Sequence, residues 1–365
     1  MSRSDLRSVG DHFLIGLRPT PQLEAADRAL LADLRPAGVI LFKSNFLHDR
    51  PYAQWLESHA RLIADIRAAV GREHLLIGID HEGGRVCRTP APITRFAYAA
   101  HWAREAAAVG HAMGRELAAL GINLSFAPVL DIHSNPANPV IGARAFASSA
   151  EAVIEAALAF AAALQAEGVI PCGKHFPGHG DTDTDSHREL PVLQQDLAAL
   201  SARELRPFAA AIAAGLPMLM TAHMLLPKID ATEPVTLSTR FGRELLRQQL
   251  GYDGVVVSDD IGMHAVSRLF EDPRQAVRLL QAGTDLMMVC AHWTDTERSR
   301  GFAQAMLEAL ADGSIAADEE ARSRARIAAL LQSAPQHGVR MLAPEVFARH
   351  RQVAALFVDQ TVEVV

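Results

Sequence analysis

The segment from residue 174 to residue 187, KHFPGHGDTDTDSH, is the densest group of reactive side chains in the sequence. It holds one lysine, three histidines and three aspartates. Its glycines and its proline argue against a helix, so we predict a mobile loop. A turn between Asp185 and His187 would let the carboxylate orient the imidazole. Such a pair can transfer protons near neutral pH, because the unperturbed pKa of histidine is about 6.5.

Two other interpretations of this loop stay open. It can be a solvated acidic loop without chemistry, or a metal site, since histidine and aspartate are common metal ligands. The Asp-x-Asp-x-Asp pattern lacks the glycine and the distal glutamate of an EF-hand, and the sequence contains no HExxH motif. We therefore favour acid–base chemistry and expect no metal and no cofactor.

Asp259 stands directly after the run VVVS at 255–258, which is typical of a buried strand. A carboxylate at the end of such a strand can attack the anomeric carbon of a glycoside and form a covalent intermediate. The alternative is a helix cap, but Asp260, next to a predicted helical stretch, is better placed for that task. Position therefore favours Asp259 as the functional residue.

Asp80 and Arg144 are further candidates for contact with a ligand. Asp80 follows an apolar run, and a carboxylate there can grip sugar hydroxyls through charge-assisted hydrogen bonds. Its alternative is a salt bridge to Arg85 or Arg88 that holds the loop. Arg144 can bind ligand hydroxyls or a carboxylate, or it can be an ordinary surface arginine. The local sequence leaves both choices open.

Short apolar runs alternate with longer segments whose apolar residues recur every three or four positions, which predicts alternating strands and helices. The predicted strands span residues 13–17, 39–42, 75–79, 123–128, 169–173, 218–221, 255–258 and 285–290. The predicted helices span residues 21–34, 52–70, 102–120, 150–166, 196–214, 239–250, 273–282, 296–310, 317–331 and 344–357. Polar and ionisable residues follow five of the strands.

Eight such βα units predict an α/β fold, a (β/α)8 TIM barrel in a single domain. An open doubly wound sheet is the alternative, but the residues after the first strand do not fit a dinucleotide-binding loop. Active sites of these barrels lie at the carboxyl ends of the strands, where the reactive residues gather. We predict a catalytic barrel over residues 1–332 and a helical appendage with a tail, packed on the barrel, over 333–365.

The composition and charge of the chain argue against several classes of function. The chain has 365 residues, 49% of them hydrophobic, and a net charge of −7, which argues against a nucleic-acid partner. No signal peptide or membrane span is evident, so we expect a cytoplasmic protein. Cys172 and Cys290 lie in strand-like runs, and we expect buried free thiols there. The expected partner is a carbohydrate substrate, with no nucleic acid and no membrane, and we expect a monomer.

Five segments resemble the bacterial, cytoplasmic β-N-acetylglucosaminidases of glycoside hydrolase family 3. They occur in the order and with the spacing typical of that family, over residues 10–330. The stretch GKHFPGHG…DSH is the most specific of them. The segments are IDHEGGRVCR at 79–88, NLSFAPVLD at 123–131, IGARAF at 141–146, GKHFPGHGDTDTDSH at 173–187 and GYDGVVVSDDIGM at 251–263.

The resemblance implies a TIM barrel that removes terminal β-linked N-acetylglucosamine with retention of configuration. It implies that Asp259 is the nucleophile and that His187, paired with Asp185, is the general acid/base, unlike the usual two carboxylates. Its implied substrates are muropeptides of peptidoglycan recycling, with N-acetylglucosamine linked to 1,6-anhydro-N-acetylmuramic acid. The implied sugar-binding residues are Asp80, Arg88, Arg144, Lys174 and His175.

Two positions depart from the family pattern. His81 stands where many relatives have glutamine, and Ala143 stands where glutamate is common. Both changes can alter ligand contacts. Two other functions remain as alternatives: a β-N-acetylglucosaminide phosphorylase on the same scaffold, and a metal-dependent hydrolase that uses the histidine- and aspartate-rich loop.

Overall fold

The computed structural model of the chain describes residues 6–184, 189–290 and 296–357. Eight parallel strands form its central sheet, and two short strands form a separate antiparallel hairpin. In chain order the strands are β1 (Phe13–Gly16), β2 (Gly38–Leu41), β3 (Leu76–Ile79), β4 (His81–Gly83), β5 (Val86–Cys87), β6 (Leu124–Ser125), β7 (Ile170–Phe176), β8 (Met218–Thr221), β9 (Val255–Ser258) and β10 (Met287–Val289). Strands β4 and β5 make the hairpin.

The eight-stranded sheet closes on itself. Its order is β10-β1-β2-β3-β6-β7-β8-β9, and β10 pairs in parallel with β1. A parallel bridge between Val257 and Leu286 links β9 to the segment that leads into β10. The predicted (β/α)8 barrel is therefore confirmed, and the doubly wound alternative is wrong, because an open sheet of this order would leave β9 and β10 as separate edges, whereas the bridge joins them.

Helices surround the barrel. The predicted helices at 102–120 and 196–214 are each interrupted, and the segment predicted at 239–250 forms a π-helix. The α-helices are Ala25–Leu34, Tyr52–Val70, Ala99–Trp102, Ala106–Ala119, Ala150–Ala166, Leu197–Ala202, Leu205–Ala213, Gln275–Gln281, Thr296–Ala311, Ala317–Ser333 and Pro344–Ala355, and the π-helix is Arg240–Gln249. Short 3-10 turns span Gly10–His12, Lys43–Asn45, Ala103–Glu105, Gly142–Arg144, Val235–Leu237 and Leu269–Glu271.

The strands separate two hydrophobic cores. Within β1, Phe13 and Ile15 pack in the core beneath the helices, whereas Leu14 packs inside the barrel. This alternation follows from the period of two along a strand. Ile327 and Leu330 of the helix Ala317–Ser333 belong to the inner core, so this helix closes one end of the barrel.

The end of the described chain packs on the barrel's helices. Phe347 lies edge to face with Tyr52, and Nδ1 of His350 lies 2.6 Å from Oε1 of Glu116. The boundary near residue 332 stays a prediction, and the tail from residue 358 lies outside the described residues. Cys172 and Cys290 are buried free thiols, as predicted. Across the described parts of the chain, the helices are too short or too polar to cross a membrane.

Candidate active site

A cavity of about 850 Å³ opens among the loops that follow the carboxyl ends of the strands. This is the end of a (β/α)8 barrel at which enzymes of the fold place their catalytic residues. The cavity walls carry six of the eight residues selected from the sequence. Those six are Asp80, Arg88, Arg144, Lys174, His175 and Asp259.

Lys174 forms the centre of an ionic cluster in the cavity wall. It lies in β7, and its side chain is only 3% exposed. Its Nζ is 2.9 Å from Oδ1 of Asp80, which follows β3, and 2.6 Å from Oε1 of Glu82, which lies in β4. Burial lowers the pKa of Lys174, but the two carboxylates raise it by more than burial lowers it. The side chain therefore stays charged.

Arg144 binds the same Glu82 through two hydrogen bonds. Its Nε and Nη2 donate to the two carboxylate oxygens at 2.8 and 2.9 Å, and its Nη1 donates to the carbonyl of Val140. Burial raises the pKa of Glu82, but the charges of Arg144 and Lys174 hold it well below its usual range. Arg144 is only 8% exposed, so its interpretation as a surface arginine is wrong.

Asp80 forms the ion pair with Arg88 that was one of its two interpretations, and it also binds Lys174. Nη2 of Arg88 lies 3.6 Å from Oδ2 of Asp80, while Lys174 occupies Oδ1. Among the described residues, Nε of Arg88 is buried without a hydrogen-bond partner. A buried donor without a partner is costly, and a ligand oxygen would satisfy it. The ion pair with Arg88 and a contact with substrate are therefore compatible.

Asp259 follows β9 and lines the same cavity. Its Oδ1 accepts a hydrogen bond of 2.8 Å from the amide of Asp260. Desolvation raises its pKa, but His223, His175, this amide and Lys174 together bring the pKa below its usual value. Asp259 is therefore an ionised carboxylate at neutral pH, which is the state that a nucleophile needs.

The helix predicted after Asp260 is absent, because the chain forms successive turns between Ile261 and Arg268. Asp260 instead holds this turn and the end of β10. Its Oδ1 accepts the amide of Gly262 at 2.9 Å and the amide of Cys290 at 3.1 Å. Asp259 and Asp260 both line the cavity, so the reason to prefer Asp259 is no longer a helix cap but the engagement of Asp260 by these two backbone amides.

The segment predicted as a loop from residue 174 begins as a strand, because β7 continues to Phe176. Beyond it, Nδ2 of Asn138 donates to the carbonyls of His179 and Gly180, and Nδ1 of His179 lies 2.8 Å from Oγ1 of Thr182. Burial lowers the pKa of His179 to about 4, so this histidine is neutral at pH 7. The described part of the segment is thus tied to the barrel.

Asp185 and His187 lie outside the described residues. Their predicted pairing and their acid/base role therefore stay predictions. The last described residue before them, Thr184, follows the anchored turn at the cavity. Across residues 6–184, 189–290 and 296–357, histidine, cysteine and acidic side chains form no cluster of three or more suited to a metal ion.

Sequence reasoning missed Glu82, which joins Lys174 to Arg144, and Asp131, which holds His175 at 2.7 Å between Oδ2 and Nδ1. Glu82 stands in the segment IDHEGGRVCR, and Asp131 is the last residue of the segment NLSFAPVLD. An acidic residue followed by two glycines at the end of a predicted strand was the available signal for Glu82.

The sequence model of the Glycosyl hydrolase family 3 N terminal domain matches residues 6–330. A Beta-hexosaminidase of Alkalilimnicola ehrlichii is 39% identical over 291 residues, which cover 77% of this chain and 80% of that protein. A Beta-hexosaminidase of Methylococcus capsulatus is 37% identical over 278 residues, which cover 74% of this chain and 80% of that protein.

Solved structures agree with these relatives. A family 3 β-N-acetylglucosaminidase from Paenibacillus sp. str. FPU-7 superposes with a TM-score of 0.85 at 34% identity, covering 97% of this chain and 68% of that one. NagZ from Neisseria gonorrhoeae, solved in complex with N-trifluoroacetyl-D-glucosamine, has a TM-score of 0.75 at 30% identity, covering 96% of this chain and 99% of that one. The chain is thus a member of glycosyl hydrolase family 3, and an enzyme of that class.

Proposed function

We propose that this enzyme is a retaining exo-β-N-acetylglucosaminidase that removes terminal, non-reducing β-linked N-acetylglucosamine. The observation that carries the proposal is the ionised Asp259 at the strand ends, in one cavity with Asp80, Lys174 and His175. Relatives named Beta-hexosaminidase and the likeness to β-N-acetylglucosaminidase structures support the same activity.

In the first step, the carboxylate of Asp259 attacks the anomeric carbon and the glycosidic bond breaks. A covalent glycosyl-enzyme forms, and the leaving oxygen needs a proton. We assign that proton to His187, oriented by Asp185, on the strength of the motif GHGDTDTDSH. In the second step, the same imidazole removes a proton from water, which attacks the anomeric carbon and releases Asp259.

A histidine suits this task electrostatically. A second carboxylate close to Asp259 would repel its charge and raise its pKa. An imidazole creates no such repulsion: it is protonated and positively charged when it donates its proton in the first step, and it is neutral afterwards, when it accepts a proton from water. The cationic neighbours that lower the pKa of Asp259, such as Lys174, thus keep their effect through the first step.

Sugar recognition falls to the polar residues of the cavity wall. Asp80 can accept hydrogen bonds from hydroxyls, and Arg88 and Lys174 can donate them. Arg144 uses three of its donors on Glu82 and Val140, so its main contribution is to hold Glu82 and, through it, Lys174. Because these contacts are fixed before substrate arrives, little free energy is lost in ordering them.

The natural substrate that we propose is a muropeptide, in which N-acetylglucosamine is linked to 1,6-anhydro-N-acetylmuramic acid, within peptidoglycan recycling in the cytoplasm. The cavity of about 850 Å³ is near the upper end of small-molecule sites, which span ~300–1,000 Å³. It leaves room for a second ring beside the terminal sugar. The gonococcal NagZ, which is similar over nearly its full length, supports this choice.

Hydrolysis of nitrophenyl β-N-acetylglucosaminide and nitrophenyl β-glucoside, with and without EDTA, tests the activity. We expect release from the acetamido sugar alone, unchanged by EDTA and absent in the Asp259→Asn variant. Activity that EDTA removes would instead support a metal-dependent hydrolase. Formation of the sugar phosphate in phosphate buffer, in excess of free sugar, would support a phosphorylase.

A further inference from the structure

Asp131 is a fully buried carboxylate that lies behind the cavity wall. Its two oxygens have separate partners. Oδ1 accepts the backbone amides of His175 and His179 at 3.1 and 2.7 Å, whereas Oδ2 lies 2.7 Å from Nδ1 of the His175 ring. Asp131 thus fixes the backbone at the end of β7 and in the turn after it with one oxygen, and the orientation of one imidazole with the other.

The contact with Asp131 decides which nitrogen of His175 carries a proton. Burial raises the pKa of Asp131, but His175 and His179 bring it below its usual value, so Asp131 is an ionised carboxylate. An ionised carboxylate only accepts hydrogen bonds, and Nδ1 of His175 must therefore donate. In a neutral imidazole, Nε2 then holds a lone pair.

Nε2 of His175 is available to a ligand in the cavity. His175 lines the cavity, and within the described residues its Nε2 makes no hydrogen bond. The neighbouring side chains Lys174 and Arg88 can only donate hydrogen bonds to a ligand. A lone pair beside these donors gives the cavity wall an acceptor for one hydroxyl of a ligand, in addition to the carboxylate of Asp80.

We propose that Asp131 is a positioning residue that holds His175 in the Nδ1–H form, so that Nε2 accepts a hydrogen bond from one hydroxyl of the terminal sugar. This inference rests on the proposed N-acetylglucosaminidase function and adds a specificity element to it. The expected consequence is selection for sugars that carry a donating hydroxyl at that position.

The variant Asp131→Asn separates the two tasks of this side chain. Its amide oxygen can still accept the amides of His175 and His179, so the backbone keeps its anchor. Its NH2 group faces Nδ1 and can only donate, which favours the Nε2–H form of His175 and removes the acceptor from the cavity. Asp33→Asn is the matched control, because Asp33 is also buried but pairs with Arg300 near the outer helices.

Calorimetric binding of N-acetylglucosamine and its 3-, 4- and 6-deoxy analogues tests the proposal. Asp131→Asn should weaken binding of the parent sugar about 3- to 10-fold, as expected for one hydrogen bond. One deoxy analogue should bind both proteins equally, since it lacks the hydroxyl in question. Asp33→Asn should bind all four sugars like the wild type.

Nitrogen-15 NMR of the His175 ring gives a second readout that a purely structural role would not move. We expect a protonated Nδ1 and an unprotonated Nε2 in the wild type at pH 7.5, and the reverse in Asp131→Asn. In the His175→Ala background, Asp131→Asn should cause no further loss of affinity.

Equal weakening toward all four sugars, unchanged affinity, or a wild-type ring protonated on both nitrogens would overturn the role of Asp131. Each of these results leaves the N-acetylglucosaminidase proposal in place. A wild type that fails to bind N-acetylglucosamine, and that also fails to hydrolyse its nitrophenyl glycoside, would reject both proposals.

Discussion

The two ends of the barrel each hold an aspartate, and the two side chains are satisfied very differently. Asp285, at the end closed by the helix Ala317–Ser333, is 1% exposed. Its Oδ1 accepts from Ser323 and Arg326 at 2.7 and 2.8 Å, and its Oδ2 accepts from the amide of Val256 and from Arg247 at 2.8 and 2.5 Å. Each oxygen of this carboxylate thus accepts at least two hydrogen bonds from the protein.

Asp259, at the open end, accepts one hydrogen bond from the amide of Asp260. Within the described residues, its Oδ2 accepts none. Lys174 and the rings of His223 and His175 stabilise its charge at a distance. Asp285 therefore joins elements of the fold, whereas Asp259 keeps lone pairs that can react. The residues that stabilise the barrel and those that do its chemistry thus lie at opposite ends of its axis.

Removal of the open-end charge should give the largest effect on turnover. The change Asp259→Asn keeps the shape of the side chain but removes the nucleophile, so kcat should fall by at least about 10⁴-fold. Binding of N-acetylglucosamine should persist, and the melting temperature should stay close to that of the wild type. Steady-state kinetics, calorimetry and thermal unfolding measure the three quantities. Turnover near the wild-type rate would remove Asp259 from its proposed role.

The proposed proton donor should show a smaller loss that depends on the leaving group. Replacing His187 with alanine should lower kcat/KM by ~10²–10⁴-fold for a poor leaving group, which needs protonation. The loss should be much smaller for dinitrophenol, which leaves as a stable anion. A series of aryl N-acetylglucosaminides measures the dependence, and equal losses along the series would exclude an acid role for His187.

The closed end should respond in the opposite way. Asp285→Ala leaves Arg247 and Arg326 without their shared carboxylate, and breaking a buried ion pair costs ~3–5 kcal/mol of unfolding free energy. The activity of the protein that remains folded should be unchanged, because Asp285 lies at the far end of the barrel. Urea unfolding and kinetics on the same samples test this, and a loss of kcat without a loss of stability would contradict it.

The sequence allowed most of the barrel to be predicted, because its strands are fully buried and appear as short continuous apolar runs. Val255–Ser258, for example, was predicted with the bounds that the structure shows. The breaks within the predicted helices at 102–120 and 196–214 were missed. A 3-10 turn or a poorly formed turn keeps apolar residues on the same face, so periodicity alone does not reveal it.

The site was predictable where a reactive residue follows a strand directly, as for Asp80 and Asp259. Glu82 was missed because it lies in the short hairpin beyond β3, and its importance comes from partners distant in the chain. Arg144 is 62 residues away, and Lys174 lies in β7. Burial of an acid between two cations is a property of the tertiary structure, which no local pattern reports.

The ion pairs of Glu82 should also make the unfolding free energy depend on pH. This is the smallest of the effects that we predict. Arg144 and Lys174 hold the pKa of Glu82 far below its unfolded value of about 4.3. The stabilisation is therefore complete above that value, and it is lost as the pH falls toward the lower folded pKa. Between about pH 4 and pH 3 this group adds at most ~1.4 kcal/mol per pH unit to the loss of unfolding free energy.

The variant Glu82→Gln isolates this contribution, because glutamine does not titrate. The difference in unfolding free energy between wild type and variant should be constant above about pH 5.5 and should shrink at lower pH. Urea unfolding from pH 7 to pH 3 measures it. A difference that stays constant down to pH 3 would show that Glu82 has the same pKa in the folded and unfolded chains. In that case the open end would owe its organisation to hydrogen bonding alone, and its contrast with the closed end would rest on Asp259 and not on the wider ionic cluster.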